Sequence, residues 1–228
     1  MRRIAMGFIM IMACAESLSA QRRGQVYRTG EPSAWLTGGL GFFTANGVND
    51  GRTSSTWDFG SSTNFQYRAS LEKAIANQSS FGVVGTYVRV PFIYSSSVIL
   101  APSEGATCGS CEAHLDMITV SAIFHAGGGP GFHQVIEASG GIAQYTNLKR
   151  DSDGAELAPA GGNIDPIFSF GYGFGYGLGN NTQINLVQDY GIALHEKSGL
   201  ANGVSNTNTV RNLRFSVRYG FGAQTRRR

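Results

Sequence analysis

Charge is scarce in this sequence. Asp, Glu, Lys and Arg supply 14% of its 228 residues, against about 25% in soluble proteins, so little charge is left to cover a solvated surface. The formal net charge of +3 is too small and too dispersed to suggest a nucleic-acid partner. Beyond the first twenty residues no apolar run approaches the roughly twenty residues that a membrane-spanning helix needs. If this chain enters a membrane, it does so as strands, because helices and closed barrels alone satisfy every backbone polar group in lipid. Cysteine is nearly absent, at three residues.

What is abundant is glycine, at 32 residues, with aromatics at 11%. The chain begins with Arg2 and Arg3, an apolar stretch over residues 4–15, and the small residues of Ser17-Leu18-Ser19-Ala20. Residues 1–20 therefore read as a cleavable secretory signal peptide, the apolar stretch being too short to span a bilayer. Ile11-Met12-Ala13-Cys14 is the alternative, a lipoprotein signal, which Met12 disfavours. Cleavage after Ala20 removes Cys14 and leaves Cys108 and Cys111 in an oxidising compartment, where a disulfide is expected. The remaining length suits one domain.

From residue 34 onward apolar residues alternate with small or polar ones, the period of a strand with two unlike faces. In the last such segment Leu213, Phe215, Val217, Tyr219 and Phe221 share one face, while Asn212, Arg214, Ser216 and Arg218 share the other. Between residues 164 and 178 the contrast sharpens, with Phe168, Phe170, Tyr172, Phe174 and Tyr176 opposite Ser169, Gly171, Gly173, Gly175 and Gly177. Those glycines sit beside aromatics, not at a turn before a helix, so they make room for long inward Arg or Tyr side chains and do not form a phosphate loop.

The pattern predicts eight strands, over residues 34–45, 63–75, 80–94, 113–125, 132–147, 164–178, 182–194 and 209–221. Connections alternate between tight turns (77–79, 127–131, 179–181) and loops near 46–62, 95–112, 148–163 and 195–208. Long strands with this alternation fit an antiparallel up-and-down transmembrane β-barrel whose two rims face different compartments. The segment 80–94 is the irregular one, and its Pro91, which cannot donate to a ladder, is expected at a bulge or the membrane rim.

A barrel of eight strands is filled by its own side chains, and charges inside it must pair. Arg68, Glu72, Glu137, Asp189, Arg214 and Arg218 lie on the polar phase of their strands and are expected to form an interior ion-pair network. Phe42, Tyr67, Phe124, Phe132, Tyr190, Tyr219 and Phe221 lie near strand ends, where aromatic rings favour the membrane interface.

Cys108-Gly109-Ser110-Cys111 has the spacing of a redox or zinc pair, but lacks the following helix and the second ligand pair, so a loop-stapling disulfide is expected and no cofactor or metal. His114 and His195, with Glu196 and Ser198, are the loop-side residues that an enzyme would use, while His125 and His133 flank a tight turn at the opposite rim. They match no triad arrangement, so the sequence does not read as an enzyme.

With these elements the mature chain resembles the small eight-stranded outer-membrane proteins of the OmpA and OmpX type. The resemblance implies an outer-membrane location in a Gram-negative-type bacterium, with residues 21–33 periplasmic, 34–221 forming the barrel and 222–228 a basic periplasmic tail too short to bind the cell wall. It also implies that Leu213, Phe215, Val217, Tyr219 and Phe221 act as the signal read by the barrel insertion machinery, although family members usually end on the aromatic itself. Outer-membrane lipids and lipopolysaccharide would surround a monomer. Four mobile surface loops would then carry a structural, adhesive or protective function. The alternatives are a lipid-modifying outer-membrane enzyme and a soluble periplasmic ligand-binding barrel.

Overall fold

The structure is a computed structural model that describes residues 32–60, 62–98 and 101–222. The expected signal peptide, most of the segment after it and the tail from 223 lie outside the described residues. Ten strands follow one another: β1 (Ala34–Ala45), β2 (Val48–Asp50), β3 (Ser55–Asp58), β4 (Asn64–Ala76), β5 (Ser79–Ser96), β6 (Cys111–Ala126), β7 (Gly131–Arg150), β8 (Asn163–Gly177), β9 (Thr182–Leu194) and β10 (Thr207–Phe221). Among the described residues no helix is long and apolar enough to cross a membrane.

Eight of these strands form a closed ring. Its order is β5-β4-β1-β10-β9-β8-β7-β6, and pairing of β5 with β6 shuts it. All the pairings are antiparallel, and the first and last strands lie side by side from Ala34 opposite Phe221 to Ala45 opposite Val210. The architecture is the eight-stranded up-and-down barrel that the alternation predicts.

Burial follows the period of two. On β10 the odd residues Leu213 to Phe221 are exposed on the outer wall, and Asn212, Arg214, Ser216 and Arg218 are buried in the lumen. On β8 the whole aromatic run from Phe168 to Tyr176 faces outward. Near the tight turns the wall carries Phe81, Phe124, Phe132, Phe174, Tyr176, Tyr219 and Phe221, and nearer the long loops Phe42, Phe65, Tyr67, Tyr87 and Tyr190. An apolar wall edged by aromatic rings suits a bilayer. A soluble ligand-binding barrel would need these rings inside.

Three expectations require correction. First, β5 alternates without a bulge: Val84, Val88, Val90, Phe92 and Tyr94 point inward, while Val83, Tyr87, Arg89, Pro91 and Ile93 point outward. The alternation was invisible because both faces are apolar there. Pro91 sits opposite His114 in unbroken register with β6.

Second, the loops are folded. β2 and β3 form a hairpin inside the first long loop, and β3 continues the wall by pairing with β5. The Gly51 N–H donates to the Glu196 carbonyl at 2.9 Å, tying the first loop to the fourth, and Ala106 N–H donates to the Glu156 carbonyl at 2.8 Å, tying the second to the third. The cause is apolar side chains in the loops, above all Val48, Trp57 and Leu157, which are buried in one cluster with the barrel mouth.

Third, the space beside the β8 glycines is not taken by Arg or Tyr. A side chain at Gly171 would meet Asp189 and Val187, one at Gly175 would meet Asn185 and His133, and one at Gly173 would meet the backbone of Leu186 and Val187.

Candidate functional site

The interior has two storeys. In the half nearer the tight turns, β4, β7, β9 and β10 direct polar residues to one another from inward positions. Glu137 on β7 is the hub: its Oε2 is 2.8 Å from Arg68 Nη2 and also pairs with Arg214 Nη2. Its Oε1 is 2.9 Å from His125 Nδ1, whose ring reaches the Gly127 carbonyl through Nε2 at 3.0 Å. Arg214 then donates from Nε to Asp189 Oδ2 at 2.7 Å.

Arg218 forms a second group at the same end. Its Nη2 is 2.8 Å from Glu72 Oε2, its guanidinium stacks 4.1 Å over the Trp35 ring, and Ser70 and Ser80 donate hydroxyls to Glu72 at 2.7 and 2.5 Å. Three Arg and three carboxylates thus share the lumen, with Arg214 1% and Arg218 2% exposed. The six inward charges named from the sequence fall into these two groups. His125 belongs with them and was missed, although its inward phase on β6, five residues from Val120, was readable.

Above the ion pairs is a chamber of about 50 Å³ with a mixed lining, in which Phe43, Val84 and Met117 meet Arg68, Thr86, Thr119, Ser139 and Ser169. Thr86 and Thr119 share a hydrogen bond of 2.7 Å, as do Ser139 and Ser169.

The loop-side storey is apolar, which composition of the strands alone did not reveal. Trp57 on β3 is fully buried and closes the mouth against Phe92, Tyr145 and His195, with ring centroids 5.9, 5.6 and 5.1 Å away. Its Nε1 donates to Ser55 Oγ at 2.9 Å, and Asp50 beside it accepts the Thr53 N–H and hydroxyl. Ser55-Thr56-Trp57-Asp58-Phe59 is a short alternating run and was the available sign of this hairpin.

The loop-side histidines do not converge. His195 is buried beneath Trp57 and Tyr145, and its Nδ1 is 3.0 Å from Asp165 Oδ2. Burial pushes it down to about 4, so the ring is neutral at pH 7. Ser198 gives its N–H and hydroxyl to Glu196, which these bonds hold below its usual range. His114 lies elsewhere on the outer wall, 2.5 Å from Asp151. Cys108 and Cys111 form a disulfide at the start of β6. Among the described residues no group of His, Cys, Asp and Glu is arranged to hold a metal.

Leu213, Phe215, Val217, Tyr219 and Phe221 form the outward stripe of β10. One outward polar cluster had no counterpart in the sequence reading: Asp116, at a register shift where Asn147 takes a φ of 51°, accepts from Arg89 Nε at 2.9 Å and Asn147 Nδ2 at 2.6 Å.

No family model matches the chain, and no curated protein matches it in sequence. Its fold does match solved structures. The Neisserial surface protein A is 16% identical, with a TM-score of 0.50 over 84% of this chain and 99% of that one. The outer membrane protein OprG from Pseudomonas aeruginosa is 12% identical, with a TM-score of 0.52 over 86% of this chain and 99% of that one. At these identities the likeness is one of fold. That fold is the small outer-membrane barrel of Gram-negative bacteria, and a barrel with this lipid-facing wall belongs in such a membrane.

Proposed function

We propose that the chain is a monomeric outer-membrane barrel with a structural, adhesive or protective role, presenting a folded loop cap at the surface without forming a pore or catalysing a reaction. The observation that supports this is the doubly closed lumen, with paired charges in one storey and Trp57 wedged among aromatic rings in the other. At eight strands an interior of this kind stabilises the wall and carries no aqueous channel. Outer-membrane lipids and lipopolysaccharide surround it, and the outward stripe of β10 is the part that the insertion machinery would read.

Planar-bilayer recording tests the closed lumen. Brief flickers at most are expected, and a stable large conductance would overturn the reading. The alternative, a lipid-modifying enzyme, is tested by mass spectrometry of lipid A from cells with and without the protein, where unchanged lipid is expected.

A further inference from the structure

The ring of strands has a break in one edge. β4 accompanies β5 as far as Gln66 opposite Val88, and β3 takes over at Asp58 opposite Ile93. Between these points Arg89, Val90, Pro91 and Phe92 have no strand partner on that side among the described residues. Pro91 suits the position because it has no N–H to leave unpaired.

The break opens on a cavity of about 310 Å³. Phe59 and Phe92, both part of the loop-side core, and the outward Pro91 give it an apolar floor, and Asp58, Glu112 and Asp151 stand around it. This volume is at the lower end of small-molecule sites, which are characteristically apolar with a few placed polar groups.

The charges around the cavity are unbalanced. Among the described residues Asp58 accepts the Gly60 N–H alone, and Asp151 meets His114. The Glu112 carboxylate has no hydrogen bond or ion pair among the described residues. Of the nearby cations, Arg89 is already held by Asp116 through Nε, and Lys149 stands on β7 opposite His114. An anionic rim over an apolar floor is complementary to a positive head on an apolar body.

Position narrows the occupant further. The break lies immediately on the loop side of Tyr67 and Tyr87, exposed aromatics that pair across β4 and β5. That is the depth at which headgroups meet acyl chains, so molecules with both an apolar and a charged part concentrate there.

We propose that this lateral notch is a binding site for a cationic amphiphile, a molecule carrying an ammonium group on a short apolar chain. The chain enters between β3 and β4 against Phe59 and Phe92, and the ammonium is held by Glu112 and Asp58. Arg89, fixed by Asp116 below the opening, disfavours a second cation deeper in the wall.

The test uses the full mature protein in zwitterionic lipid nanodiscs, carrying Trp35→Phe so that Trp57, 5.9 Å from Phe92, is the sole tryptophan reporter of the floor. Octylammonium is titrated against Trp57 emission, with octyl sulfate and octanol as chain-matched controls and empty nanodiscs to subtract partitioning. A saturable change with octylammonium is expected, about tenfold weaker in Glu112→Gln and lost in Asp58→Asn/Glu112→Gln. Glu104→Gln, an exposed acid outside the notch, should leave it unchanged. Equal saturation by octyl sulfate or octanol overturns the proposal. So does binding that survives the double substitution, or the absence of any saturable change beyond partitioning.

Discussion

Glu137 answers three partners with one carboxylate, Arg68, Arg214 and His125. Replacing it by Gln leaves the buried Arg68 guanidinium without its charge partner and Arg214 with Asp189 alone, and removing one member of such a set typically costs about 3–5 kcal/mol. Urea unfolding in lipid vesicles should show a loss of that order for Glu137→Gln, and a variant as stable as the parent would refute the hub role. His195 gives the loop cap a pH dependence of opposite origin. Its folded value, about 4, lies below its ordinary one, so the folded state takes up fewer protons there than the unfolded chain. The stabilisation is complete above the usual histidine range near 6.5 and is lost as pH falls toward 4. In a Trp35→Phe background, Trp57 emission should change over that interval, and His195→Gln combined with Asp165→Asn, the carboxyl 3.0 Å away, should abolish the change.

At the level of strands, β8 and β9 approach so closely that the kind of neighbour decides what a methyl group does. A Cβ at Gly173 meets the Leu186 carbonyl and the Val187 Cα, which the ladder holds in place, whereas one at Gly171 meets the Asp189 carboxylate and a Val187 methyl. Gly173→Ala should therefore destabilise more than Gly171→Ala, by about 1–3 kcal/mol for such overpacking, measured by the temperature at which the folded form is lost on SDS gels. The Cys108–Cys111 disulfide spans a separation of three residues. So small a ring constrains the unfolded chain by only about 2 kcal/mol, and Cys108→Ser/Cys111→Ser should loosen the second loop to protease while the barrel stays folded. Strands were legible wherever one face was apolar and the other polar, as on β10. On β5 both faces are apolar above Val84, so period carried no information about which way Pro91 points. The hairpin of β2 and β3 was hidden for another reason, since four residues of alternation inside a long connection look like a loop until something is known to bury Trp57.

For the whole molecule, strand number and lumen composition could be read from phase alone, because each inward charge had to find an opposite one. Which charge meets which could not, since those pairings depend on the stagger between strands far apart in the chain. Neither could the apolar cap, which arises where four loops meet. That stagger has a consequence for assembly. Glu72, Glu137 and Asp189 are all laid down before β10, while the two most deeply buried cations, Arg214 and Arg218, arrive with it. An unfinished barrel therefore carries a surplus of negative charge facing inward, and the last strand to be made brings the cations that neutralise it as it docks between β1 and β9. Closure and charge neutralisation are one event. A chain truncated before Arg214 should remain an open, electrostatically frustrated sheet that never acquires the compact gel mobility of the full protein, so that the docking of the last strand is the moment at which the wall seals.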